Sequence, residues 1–237
     1  MPVDFDVQSS WFFSPFPREK FMKIACLHTA ESNIAVFEEA GLTLGIPYGV
    51  LTHEVRADLL SAAELAGGLT SCIEGEVRSA LIALSLCADA VLLTCSTLGP
   101  AVVAAGKATA VPILRVDEAL AEKTIEVGGK IVVLCAVETT LQPTMRIFVD
   151  AAIGANVSVE VRLVSGAWAL FKAGDLEGYL SAIAESADAA YVEGSSMVAL
   201  AQASMAGAAK LVKNGPEPMC SPIAGLTRAL EELSKRF

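Results

Sequence analysis

Short apolar runs alternate along the chain with segments of helical period, the pattern of βα units around a parallel sheet. Strands are predicted over 23–27, 49–52, 90–94, 112–116, 130–134, 157–164, 197–201 and 217–220. Helices are predicted over 32–40, 77–86, 117–126, 141–153 and 223–233. The most apolar stretch, 90–106, has about the minimum length for a membrane span. Thr94, Ser96, Thr97 and Pro100 interrupt it, and a proline just behind a strand suits the first turn of a helix, so the prediction is a buried strand feeding a helix. Residues 1–21 carry Asp4 and Asp6 before any base and break at Pro15 and Pro17, so they read as an arm, with no signal peptide.

The pattern repeats. Residues 24–33 (IACLHTAESN) lie over residues 131–140 (IVVLCAVETT), and 91–97 (VLLTCST) lie over 198–204 (VALAQAS), both at an offset of 107 residues. The strands opening at Pro112 and Pro218 are displaced by 106. One shared spacing across three strand ends predicts an α/β protein of two pseudo-symmetric domains from an internal duplication. Each would be a mainly parallel sheet flanked by helices, with the active site in the cleft between them. The expected division is an arm at 1–21, a first domain of 22–116 plus 218–237, and a second of 117–217.

Composition narrows the function. With 54% hydrophobic and 19% charged residues the 237-residue chain is neither disordered nor a coiled coil. A net charge of −10 has the wrong sign for tracking phosphates, which excludes nucleic acid as a partner. Six scattered cysteines, no CxxC pair and two histidines point to reduced thiols in a cytoplasmic protein and to no metal. No glycine-rich phosphate loop is present, so no nucleotide cofactor is expected.

Ligands of open parallel sheets bind beyond the carboxyl ends of the strands. The repeat therefore nominates His28, Thr29, Ser32, Asn33, Cys95, Ser96 and Thr97 from one half, with Thr139, Thr140, Gln202 and Ser204 from the other. Cys95 ends a strand and is followed by cap residues, a place where a helix N-terminus lowers a thiol pKa and makes a base or nucleophile. The plainer reading is a small buried hydrophobe. The hydroxyl and amide groups suit either a substrate carboxylate or ordinary N-capping. His28 and His53, each near a strand end, are candidate acid–base groups or satisfied polar residues, and Cys135 stands where the offset puts His28.

Four blocks carry a resemblance: LLTCSTLG at 92–99, RVDEALA at 115–121, VLCAVETTLQPT at 133–144 and LAQASMA at 200–206. Thr52-His53 with Asp58-Leu59-Leu60, and Ser221-Pro222, fit the same pattern. Together, over about residues 22–230, they resemble the aspartate/glutamate racemase superfamily, which includes hydantoin racemases, maleate isomerase and arylmalonate decarboxylase. The resemblance implies a cofactor-independent isomerase acting at the α-carbon of a small carboxylate or amino acid. It gives Cys95 as the first of the two family thiols and puts Gln202 at the second. Gln cannot serve as a base. A one-thiol decarboxylase or lyase and a non-catalytic acid-binding protein are the alternatives, and His53 is the first candidate for a replacement base. A different placement of the last strand, at Tyr191-Val192, supplies no thiol either. No membrane partner is expected, and association with further copies of the chain stays open.

Overall fold

The computed structural model describes residues 22–236, so the expected arm lies outside the described residues. Strands β1 (Ile24–His28), β2 (Leu51–Val55), β3 (Ala90–Leu93) and β4 (Ile113–Arg115) form one sheet in the order β2-β1-β3-β4. Strands β5 (Gly129–Cys135), β6 (Val157–Leu163), β7 (Met197–Leu200) and β8 (Met219–Cys220) form a second in the order β6-β5-β7-β8. All six pairings are parallel. The central strands β1, β3 and β7 are buried along their whole length, which is why they read as unbroken apolar runs. Edge strand β6 alternates instead, with Glu160 and Arg162 paired on its outer side at 2.7 Å.

Register establishes the duplication. Ile24 faces Ala90 in the first sheet and Ile131 faces Met197 in the second, both displaced by 107. The outer strands depart from the expected 106. Leu92 pairs with Leu114 and its counterpart Ala199 pairs with Met219, so Leu114 corresponds to Met219 at 105. The alternative strand at Tyr191-Val192 is overturned, since both residues close helix α8 (Leu176–Val192). That helix buries Tyr179, Ile183, Ala184, Ala187, Ala190 and Tyr191, a helical spacing carried largely by alanine. A turn through Gly194, whose φ of 89° favours glycine, then feeds β7. The apolar stretch 90–106 divides into β3, a 3-10 turn at Ser96–Leu98 and helix α4 (Ala101–Gly106). Among the described residues no helix is long and apolar enough to cross a membrane.

Each half lends a helix to the other. Helix α5 (Val116–Ile125) follows β4 but packs Ala119, Leu120 and Ile125 against β5 and β7 of the second sheet. Helix α9 (Ser221–Ser234) follows β8 but packs Leu226, Ala229 and Leu233 with β1 and β3 of the first. The two helices meet where Gly225 lies against Val116, and a Cβ on Gly225 would stand 2.5 Å from Val116 Cγ1. Gly225→Ala is therefore expected to destabilise the fold by about 1–3 kcal/mol through overpacking. Gly75→Ala, in open space inside helix α3 (Ser71–Ser85), is expected to stabilise it by about 0.4–1 kcal/mol. Urea denaturation of the two variants checks the opposite signs.

Candidate active site

The fully buried end of β1 and the end of β3 lie side by side, so the residues that follow them share one edge of the sheet. Thr94 is buried there, and its hydroxyl donates to Leu27 O at 3.1 Å. Cys95 comes next in extended conformation and caps the 3-10 turn Ser96–Leu98. It is partly exposed. The Thr29 side chain and the backbone of Leu98 and Thr97 stand near enough to its sulfur to favour the thiolate.

Burial outweighs these neighbours and the Asp117 charge adds to it, so the Cys95 thiol sits above its ordinary pKa. The expectation of a depressed pKa is thus corrected. A three-residue 3-10 turn offers amides but little macrodipole, and the loss of water around the sulfur is the larger effect. Arg115 supports the turn from below. It binds Asp117 through two hydrogen bonds of 3.0 and 2.8 Å, and its guanidinium occupies the space a Cβ on Gly99 would need.

In the second half Gln202 holds the place of Cys95, capping a 3-10 segment at Ala203–Leu211 after β7. Both ends of its amide are committed. The carbonyl accepts from Ala136 N at 2.7 Å and the NH2 donates to Thr140 Oγ1 at 2.9 Å. The Thr140 hydroxyl in turn donates to Val137 O at 2.6 Å. Cys135 is fully buried beside Thr144, Gln202 and Thr140, and burial raises its pKa as well. Ser204 shares a 2.9 Å hydrogen bond with Tyr179, Asn33 is buried, and Ser32 and Thr139 are exposed.

The histidines take a different place. His28 is fully buried, with Nδ1 at 2.9 Å from Thr94 Oγ1 and Nε2 at 2.9 Å from His53 Nδ1. His53 Nε2 meets Glu38 Oε1 at 2.9 Å. Burial, and next the neighbouring His53, push His28 down to about 4. Cys26 lies in the same cluster, its sulfur and one nitrogen of each ring all within 4.8 Å of one another. Sequence spacing missed this group because Cys26 and His28 come from β1 and His53 from β2. Only the pairing of Cys26 with His53 across the strands brings them together.

Two cavities flank the site and are themselves duplicates. One, of about 490 Å³, is lined by Thr97, Pro100, Glu118, Glu122, Pro143 and Arg146 among others. The second, of about 770 Å³, is lined by their counterparts Ser204, Gly207, Ile223, Thr227, Val36 and Glu39. The first, beside the Cys95 turn, carries charge in Arg115, Arg146 and Asp150. Phe171, Leu176, Leu180 and Met219 make the second mainly apolar.

Sequence and structure comparisons agree with this architecture. The family profile described as Asp/Glu/Hydantoin racemase matches residues 70–226, and the chain belongs to that family. Among solved structures, aspartate racemase of Picrophilus torridus is similar at a TM-score of 0.68 and 14% identity, covering 90% of this chain and 94% of that one. Allantoin racemase of Klebsiella pneumoniae is similar at a TM-score of 0.65 and 13% identity, covering 91% and 89%. A glutamate racemase of Bacillus anthracis gives 0.61 and 12%, covering 91% and 82%. At these identities the likeness is one of fold. No curated protein matches the chain by sequence.

Gln202→Ala would strand the buried Ala136 amide, and a loss of about 1–3 kcal/mol is expected in denaturant titrations. Alkylation of Cys95 by iodoacetamide, followed by peptide mass spectrometry, should rise at higher pH than that of the exposed Cys72 and Cys87. Thr29→Val should move it higher still, because the hydroxyl that favours the thiolate is gone. Alkylation of Cys95 at lower pH than the two exposed thiols would contradict the assignment.

Proposed function

We propose that the chain moves a proton at the α-carbon of a small carboxylate, with Cys95 as its one working thiol. The observation that carries this reading is a partly exposed sulfur at the end of β3, beside Thr29 and the turn that follows, which favour its thiolate. The carboxylate is held by the exposed hydroxyls of Ser32 and Thr139, while the buried Thr29 serves the Cys95 sulfur. Ser96 and Thr97 donate to the oxygens that gain charge as the α-carbon becomes planar, each such donor worth on the order of 3 kcal/mol. Asn33 and Thr140 act behind them, since Asn33 is buried and the Thr140 hydroxyl is already spent on Val137 O. Ser204 is shared with Tyr179. The chemistry calls on no cofactor.

Position 202 decides the stereochemistry. An amide with no usable pKa, tied at both ends, cannot return a proton from the opposite face. His53, the replacement base weighed from sequence, has both ring nitrogens engaged by His28 and Glu38. The proton therefore goes back to the face it left. The same tied amide favours a second reading, loss of CO2 from a malonate-like acid, where delivery to one face is enough.

The test is incubation in D2O with pure enantiomers of aspartate, glutamate and hydantoins, and separately with 2-substituted malonates, read by NMR and chiral chromatography. Largely retentive exchange, or decarboxylation, is expected to fall at least about 100-fold in Cys95→Ser and less in Gln202→Ala. Inversion at equal rates from both enantiomers, lost equally in both variants, would refute the one-thiol reading.

A further inference from the structure

A hydrogen-bonded chain beneath the site runs from Leu27 O through Thr94, His28 and His53 to Glu38, and both of its ends can only accept. The Thr94 hydroxyl has one proton for two contacts, Leu27 O at 3.1 Å and His28 Nδ1 at 2.9 Å; when it serves Leu27 O, it accepts from His28 Nδ1–H. At the far end the Glu38 carboxylate accepts from His53 Nε2–H. Each imidazole has then used the single N–H of its neutral form. His28 Nε2 and His53 Nδ1 are left as two lone pairs facing each other at 2.9 Å. Two arrangements satisfy these contacts: the Thr94 proton goes to His28 Nδ1 and the chain closes with neutral rings through His28 Nε2–H to His53 Nδ1, or a positive centre, a proton or a metal ion, sits between the rings.

Cys26 selects among these. It lies two residues before His28, on the same face of β1, and pairs directly with His53 of β2. It is fully buried and makes no hydrogen bond among the described residues, yet its sulfur is within 4.8 Å of one nitrogen of each ring. Neither all-proton arrangement gives this sulfur a partner, whereas a metal ion would use all three.

We propose that Cys26, His28 and His53 bind one soft closed-shell ion, zinc(II) or copper(I), which clamps β1 to β2 behind the Cys95 site. Thiolate and imidazole are ligands that both ions take; copper(I) is complete with three, and zinc(II) needs a water as its fourth. The surrounding bonds are those that orient metal-bound histidines: His28 Nδ1–H points to Thr94 and His53 Nε2–H to a carboxylate. Metal–nitrogen bonds of about 2.0–2.1 Å require the two nitrogens to part to roughly 3.3 Å, a small rotation of the rings. On binding, one metal–sulfur and two metal–nitrogen bonds form. The Cys26 thiol proton and any proton held between the rings pass to solvent. Zinc(II) is then balanced by the thiolate and Glu38, and copper(I) by the thiolate alone.

The experiment uses untagged full-length protein from cells grown with added zinc or copper, with metal content measured by plasma mass spectrometry. Metal-free protein is then titrated with zinc(II), with copper(I) against a chromophoric chelator, and with cobalt(II), whose thiolate charge-transfer band reports sulfur ligation. One equivalent is expected, lost in Cys26→Ser and in His53→Gln and kept in Cys95→Ser. His53 is near the surface, so His53→Gln serves where Cys26→Ser does not fold. Whichever of zinc(II) or copper(I) is held more tightly names the resident ion. Folded wild-type protein that holds less than a tenth of an equivalent and shows no cobalt–thiolate band would overturn the proposal. Because the readout is metal content, its failure leaves the Cys95 reading untouched.

Discussion

Strands buried on both faces have no room for polar side chains, and this constraint organises the molecule. Strands β1, β3 and β7 carry only apolar or small groups until their carboxyl ends, where burial relaxes and chemistry becomes affordable. His28, Thr94, Cys95, Cys135 and Gln202 all sit at or just past such ends. Those that remain buried are hydrogen-bonded within a few ångströms, as the cost of an unpaired buried polar group demands.

Duplication gave two such edges, and they have diverged in opposite directions. In the first half the position after β3 holds a sulfur with water access and several weak donors around it. In the second, the matching position holds an amide that ties the β5 loop to the β7 loop through Ala136 and Thr140. One edge has kept a group able to gain and lose a proton. The other has become a brace. The flanking cavities show the same divergence: Arg146 in one corresponds to Glu39 in the other, which pairs with Lys210 across the mouth of an apolar chamber.

The exchange of helices keeps the halves in register. Because α5 packs on the second sheet and α9 on the first, neither sheet can shift without disturbing the contact at Gly225 and Val116. The proposed site at the end of β3 thus rests on that shared packing. Its local electrostatics follow from that packing too. Asp117, at the start of α5, is brought close enough to Cys95 to oppose its ionisation while neutralising Arg115.

Much was legible in the sequence because strand identity and repeat spacing are local properties. Apolar runs marked the central strands to within a few residues, alternation marked β6, and the 107-residue offset by itself paired Cys95 with Gln202. Helix α8 escaped because alanine carries little of the periodic signal, although its small side chains are what let it pack closely. Three things belonged to the tertiary structure alone. The 105-residue register of the outer strands depends on pairing across the sheet, which chain spacing approximates but does not fix. The rise in the Cys95 pKa depends on how much water the packed fold removes, a quantity that no run of neighbouring residues encodes. The meeting of Cys26, His28 and His53 depends on β1 lying beside β2, since residues 25 apart in sequence become neighbours only through the ladder of hydrogen bonds between strands.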